Sequence, residues 1–125
     1  MSTKILLVED EPDLQVITRM ALEDAQYTVA VAGNGLEALS ILDRESFDLL
    51  LIDLLMPKMD GLELCQHLRQ HPVWQHIPVL LLTANPKAHL SNHDFHPAVR
   101  GWVEKPFNVF ELVDYIQSIL NDAKT

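Results

Sequence analysis

Ile5-Leu6-Leu7-Val8-Glu9-Asp10-Glu11-Pro12 sets four apolar residues in a row, then three acids, then a proline. The apolar run does not alternate with polar residues. A strand with no polar face is buried on both sides, the habit of a parallel sheet covered by helices. The pattern recurs at Leu49-Leu50-Leu51-Ile52, closed by Asp53, and at Val79-Leu80-Leu81-Leu82, closed by Thr83. Tyr27 to Val31 is a weaker β-like run, and Trp102-Val103 reads as a short fifth strand.

Helical patterns fill the intervals. Pro12 suits a first helical turn, where its missing N–H costs nothing. Leu14, Ile17, Met20 and Ala21 form one apolar stripe. Val109, Leu112, Val113, Ile116, Ile119 and Leu120 form another at nearly ideal helical spacing. Three helix starts carry a polar cap with a Glu three residues on: Asn34 with Glu37, Asp60 with Glu63, and Asn108 with Glu111. The order reads βαβαβαβαβα, which predicts a doubly wound α/β sandwich. Pro86 to Arg100 has poor helical periodicity, so a fourth helix there is expected to be short or irregular.

The chain has 125 residues, a single-domain length, and the domain is expected to run over residues 1–125. With 48% hydrophobic and 22% charged residues its composition is that of a globular protein. Eighteen acids against 9 Lys and Arg give a formal charge of −9. That sign argues against nucleic acid and against an anionic membrane surface as direct partners. The lone Cys65 excludes an intramolecular disulfide and a multi-cysteine zinc site. With no signal peptide and no long apolar run, a cytoplasmic location is expected.

In an open parallel sheet, ligands bind beyond the carboxyl ends of the strands, where strand order reverses. Those positions hold Glu9, Asp10 and Glu11 after the first strand, Asp53 after the third, Thr83 after the fourth and Lys105 after the fifth. Taken singly, each is an ordinary cap, turn or surface residue. Together they bring carboxylates, a hydroxyl and an ammonium to one rim. Carboxylates about 4 Å apart repel by ~4 kcal/mol at an effective dielectric of 20, so the cluster calls for a counter-cation. Mg²⁺, with one or two carboxylates and waters, is the usual fit. A metal, a hydroxyl and an ammonium also suit the oxygens of a phosphoryl group, and an Asp among them is a competent nucleophile.

These residues resemble a receiver domain of the two-component response-regulator family, of the chemotaxis-regulator kind. The resemblance rests on Ile5 to Pro12, on Asp53-Leu54-Leu55-Met56-Pro57-Lys58-Met59-Asp60-Gly61, on Val79 to Ala84, and on Lys105-Pro106-Phe107. It covers essentially the whole chain. It implies a flavodoxin-like five-stranded parallel sheet of order 2-1-3-4-5 with helices on both faces. It also implies a signalling switch that takes a phosphoryl group from a histidine kinase or phosphotransfer protein, and catalyses only its own phosphorylation and dephosphorylation. Asp53 would be the phosphoacceptor. Asp10 would bind Mg²⁺ directly and Glu9 through water, with Asp53 and the Leu55 carbonyl completing the protein's share. Thr83, the Ala84 N–H and Lys105 would hold phosphoryl oxygens. Trp102 stands where the family keeps its switch aromatic, normally Tyr or Phe, and Thr83 and Trp102 would move together. The Lys105–Pro106 bond is expected to be cis, aiming the ammonium at Asp53. Leu55 and Asn85 would flank the path of attacking water and set the phosphoryl lifetime.

Rival readings fit less well. A dehalogenase-type phosphatase needs a second Asp two residues after its nucleophile, and Leu55 stands there. A nucleotide binder needs a Gly- or Thr-rich loop after the first strand, where this chain has acids. An interaction module excised from a larger regulator or hybrid kinase is the alternative, though such degenerate receivers usually lack one of the five functional positions. The chain ends soon after the last helix, so it is expected either to dock to partners alone or to be cut from a larger protein. His89, His93 and His96 read as a solvated loop rather than a metal site. Cys65 reads as a packed helix residue, and Trp74 as a loop anchor on the third helix.

Overall fold

The computed structural model describes residues 3–54, 56, 58–84 and 99–123. Five strands, β1 (Lys4–Val8), β2 (Thr28–Ala32), β3 (Leu49–Asp53), β4 (Val79–Thr83) and β5 (Val99–Glu104), form one sheet. Its order is β2-β1-β3-β4-β5, and every pairing is parallel. Among the described residues lie four α-helices, α1 (Pro12–Asp24), α2 (Gly35–Leu42), α3 (Gly61–Gln70) and α4 (Val109–Ala123), and a 3₁₀ turn at Trp74–His76. The fold is the expected flavodoxin-like one.

The strands with no polar face behave as their composition dictates. All five residues of β3 and of β4 are buried. Alternation along each strand splits the core into two layers. Leu6, Val8, Leu50, Ile52 and Leu81 pack under α2 and α3, on Ala38, Leu42, Leu64, Cys65 and Leu68. Ile5, Leu7, Leu49, Leu51 and Leu80 pack on the other face, under Leu22 of α1 and Leu112, Ile116 and Ile119 of α4. Each fully buried Leu or Ile contributes about 1.5–3 kcal/mol over its exposed state.

Two expectations need correction. The stripe Leu14, Ile17, Met20, Ala21 is not the buried face of α1: Ile17 is 52% exposed and Met20 61%, while Thr18 and Leu22 are buried. The helix seats itself on Thr18 and Leu22, four residues apart, with a threonine standing in the seam where an apolar residue would have marked it. The fifth strand is longer than Trp102-Val103. It starts at Val99, and as an edge strand it alternates buried Val99 and Gly101 with exposed Arg100. A register shift between Val79 and Leu80 accommodates that pairing.

The helix caps form as the sequence predicts. Asn34 Oδ1 accepts the Glu37 N–H at 3.0 Å, and Asp60 Oδ1 accepts that of Glu63 at 2.9 Å. Asn108 Oδ1 accepts the N–H groups of Phe110 (2.8 Å) and Glu111 (3.3 Å). Trp74 stacks on His71 at the end of α3, ring centroids 3.7 Å apart, and packs against the core as a loop anchor. Cys65 is buried, and burial pushes its thiol up to about 12, in keeping with a packing role. The expected fourth helix and His89, His93 and His96 lie outside the described residues.

Candidate phosphoacceptor site

The chain runs outward from β1 to β2 and returns on the other side of β1 to form β3. The crevice between the carboxyl ends of β1 and β3 is therefore the point where strand order reverses. Glu9 and Asp10 follow β1 into that crevice, and Asp53 is the last residue of β3. One carboxylate oxygen from each of the three lies within 4.8 Å of the others.

Backbone bonds that continue the ladders beyond the strands hold the rim. Glu9 N–H donates to the Ala32 carbonyl at 3.0 Å, Leu54 to Leu82 at 3.0 Å, and Lys105 to Thr83 at 2.8 Å. Glu9 Oε2 turns back to accept the N–H groups of Asp10 (3.0 Å) and Glu11 (3.4 Å), and Gln15 Nε2 donates to the Glu9 carbonyl. Lys58 adopts φ 65°, Met59 is buried, and the Gly61 N–H donates to the Leu54 carbonyl at 2.9 Å. A Cβ on Gly61 would lie 2.6 Å from the Asp53 carbonyl oxygen, so only glycine lets α3 start this close to the end of β3.

Lys105 crosses the site. Its Nζ lies 2.9 Å from Glu9 Oε1, 3.0 Å from Asp53 Oδ2 and 3.5 Å from Glu11 Oε1. The Lys105–Pro106 peptide is cis, as expected. Burial pulls the Lys105 ammonium down, but hydrogen bonds to Glu9 and Asp53 and their charges outweigh it and hold the group above its ordinary value. Glu9 is fully buried. Burial first, and then the hydrogen bond and charge of Asp53, push its carboxyl up to about 7 against the pull of Lys105. Three hard carboxylates, each with an oxygen within 4.8 Å of the others, are a donor set that fits a hard divalent cation.

Thr83 ends β4 and is 1% exposed, and Ala84 beside it is exposed. Trp102 lies on β5 in register with Leu81, half-buried against the α2–α3 core layer. It also borders a surface cavity of about 310 Å³ shared with Tyr115 and Phe107. The described rim thus unites Glu9, Asp10, Asp53, Thr83, Ala84 and Lys105. Leu55, expected to offer its carbonyl, and Asn85 lie outside the described residues. The ion pair of Glu11 with Lys105 was not foreseen. Its only signal in the sequence is a third acid in the same loop.

A family model described as the response regulator receiver domain matches residues 5–117. The chain belongs to that family. A receiver domain is the phosphoacceptor signalling module of a two-component system, a regulatory switch rather than a classical enzyme. The chain is 34% identical over 121 residues to the transcriptional regulatory protein ResD of Bacillus subtilis, covering 97% of this chain but 49% of ResD. It therefore spans about half the length of that relative. The chemotaxis response regulator CheY4 of Vibrio cholerae superposes with a TM-score of 0.87 at 30% identity, over 95% of this receiver domain and 99% of CheY4. The receiver domain of the sensor histidine kinase PA1611 of Pseudomonas aeruginosa has magnesium coordinated in its active site cleft. It matches with a TM-score of 0.82 at 27% identity, over 97% and 99% of the two chains. No helix among the described residues of this receiver domain is long and apolar enough to cross a membrane.

Proposed function

We propose that Asp53 accepts a phosphoryl group from a phosphohistidine on a histidine kinase or phosphotransfer protein, in a Mg²⁺-dependent reaction, and that the domain extends over residues 1–125. The observation that carries this is the position of Asp53. It ends β3 with Lys105 Nζ 3.0 Å from its Oδ2, beside two further carboxylates. A cytoplasmic location is part of the same reading.

An Asp53 oxygen attacks phosphorus, the P–N bond of the donor breaks, and the imidazole nitrogen keeps the electron pair. Glu9, Asp10, Asp53 and the Leu55 carbonyl would hold the Mg²⁺. When bound, the cation neutralises charge on the transferring group. The Lys105 ammonium donates to one phosphoryl oxygen, and the Ala84 N–H donates to a second. The Thr83 hydroxyl moves to a third. That movement vacates space between β4 and β5, which the Trp102 indole fills by turning inward, reshaping the face that a partner reads. Hydrolysis by water at phosphorus restores the Asp53 carboxylate.

Incubation with a small phosphodonor in Mg²⁺, followed by intact-mass measurement, tests the reading. The chain should gain one phosphoryl group, and should gain none in EDTA or as Asp53→Asn. Equal uptake by Asp53→Asn, or uptake indifferent to EDTA, would overturn it.

A further inference from the structure

Glu11 has no part in the roles assigned above, yet it completes a ring of three acids around one ammonium. Lys105 spans the same two carboxylates that a divalent cation needs, at 2.9 Å from Glu9 and 3.0 Å from Asp53. A cation entering among Glu9, Asp10 and Asp53 competes for those carboxylates and repels the ammonium directly. Lys105, whose side chain is 15% exposed, therefore has to give ground. Beside it lies a cavity of about 450 Å³ lined by Glu11, Leu14, Ala84, Lys105, Pro106 and Phe107. Four of those six residues are apolar, and Glu11 is the one acid among them. Its carboxylate is already 3.5 Å from the ammonium, and at 64% exposure it is free to follow the lysine as it shifts.

We propose that Glu11 is a positioning residue that receives the Lys105 ammonium when a divalent cation takes up Glu9 and Asp53. The shift leaves the lysine in the cavity bordered by Ala84, on the side from which a phosphoryl group arrives, instead of locked between the two metal-binding carboxylates. Glu11 thereby raises Mg²⁺ affinity through the lysine, without touching the metal. The inference rests on the proposed Mg²⁺ site.

Calorimetric titration of the full chain with MgCl₂ tests it without reference to phosphorylation. Glu11→Gln should weaken Mg²⁺ binding about two- to fivefold, the range for one partly exposed charge pair. Glu11→Asp keeps the charge but shortens the reach, and should weaken binding to a similar degree. In a Lys105→Met background the Glu11→Gln change should have no further effect, because the cycle isolates the coupling between the two side chains. An equal loss with and without Lys105 would mean that Glu11 acts as a distant charge on the metal, and would overturn the proposal. So would Glu11→Asp binding as the wild type does. Failure of the wild type itself to bind Mg²⁺ would instead overturn the metal site and this inference with it.

Discussion

Glu9 offers a quantitative test of the electrostatics in the metal-free protein. Its carboxyl is buried and pushed up from 4.5 to about 7, by burial first and by Asp53 second. Folded protein then holds a proton on Glu9 over a pH range in which the unfolded chain has lost it. Because the folded value lies above the unfolded one, Glu9 contributes full stability below about pH 4.5. That stability is lost as pH rises through about 7. The loss across this window is about 3 kcal/mol, which for a domain of this size is a fall in Tm of roughly 10 °C. Glu9→Gln keeps the shape and the acceptor for the Asp10 and Glu11 N–H groups but cannot ionise. Thermal unfolding followed by circular dichroism in EDTA, at intervals from pH 4.5 to 8, should show the variant gaining on the wild type by about that amount. Added Mg²⁺ should then stabilise the wild type more at pH 8 than at pH 5. A Tm difference between the two proteins that stays constant across the range would refute the reasoning.

Asp10→Ala should weaken Mg²⁺ binding at least tenfold, seen by calorimetry. It should also raise the metal-free Tm by a few degrees, because one of three crowded anions is gone. Gly61→Ala puts a methyl group against the Asp53 carbonyl and Leu54 Cα. It should cost about 1–3 kcal/mol of stability in urea titration and slow phosphorylation together with it. With Trp74→Phe as background, phosphorylation should reduce quencher access to Trp102. Unchanged emission and access would remove the coupling to Thr83.

Much of this molecule was legible because its strands are buried on both faces. Ile5 to Val8, Leu49 to Ile52 and Val79 to Leu82 declare themselves by lacking polar residues, and the chemistry follows directly after each. Glu9, Asp53 and Thr83 therefore fall on one rim by their place after these runs, and Lys105 joins them by its place after β5. The edge strand was harder. Arg100 and Gly101 interrupt its apolar pattern, because one face meets water and the other packs closely. In α1 the error has a single source: Thr18 is buried in the seam, and a hydropathy pattern counts it as polar. The Glu11–Lys105 pair and the tight fit of Gly61 against Asp53 depend on side-chain reach and loop closure, which no periodicity encodes.

Borohydride trapping after exposure to a phosphodonor, with peptide mapping by mass spectrometry, tests the central claim at the level of a single residue. Reduction should convert one aspartate, Asp53, and only in samples that contained Mg²⁺. Conversion at any other carboxylate, with Asp53 intact, would contradict the account.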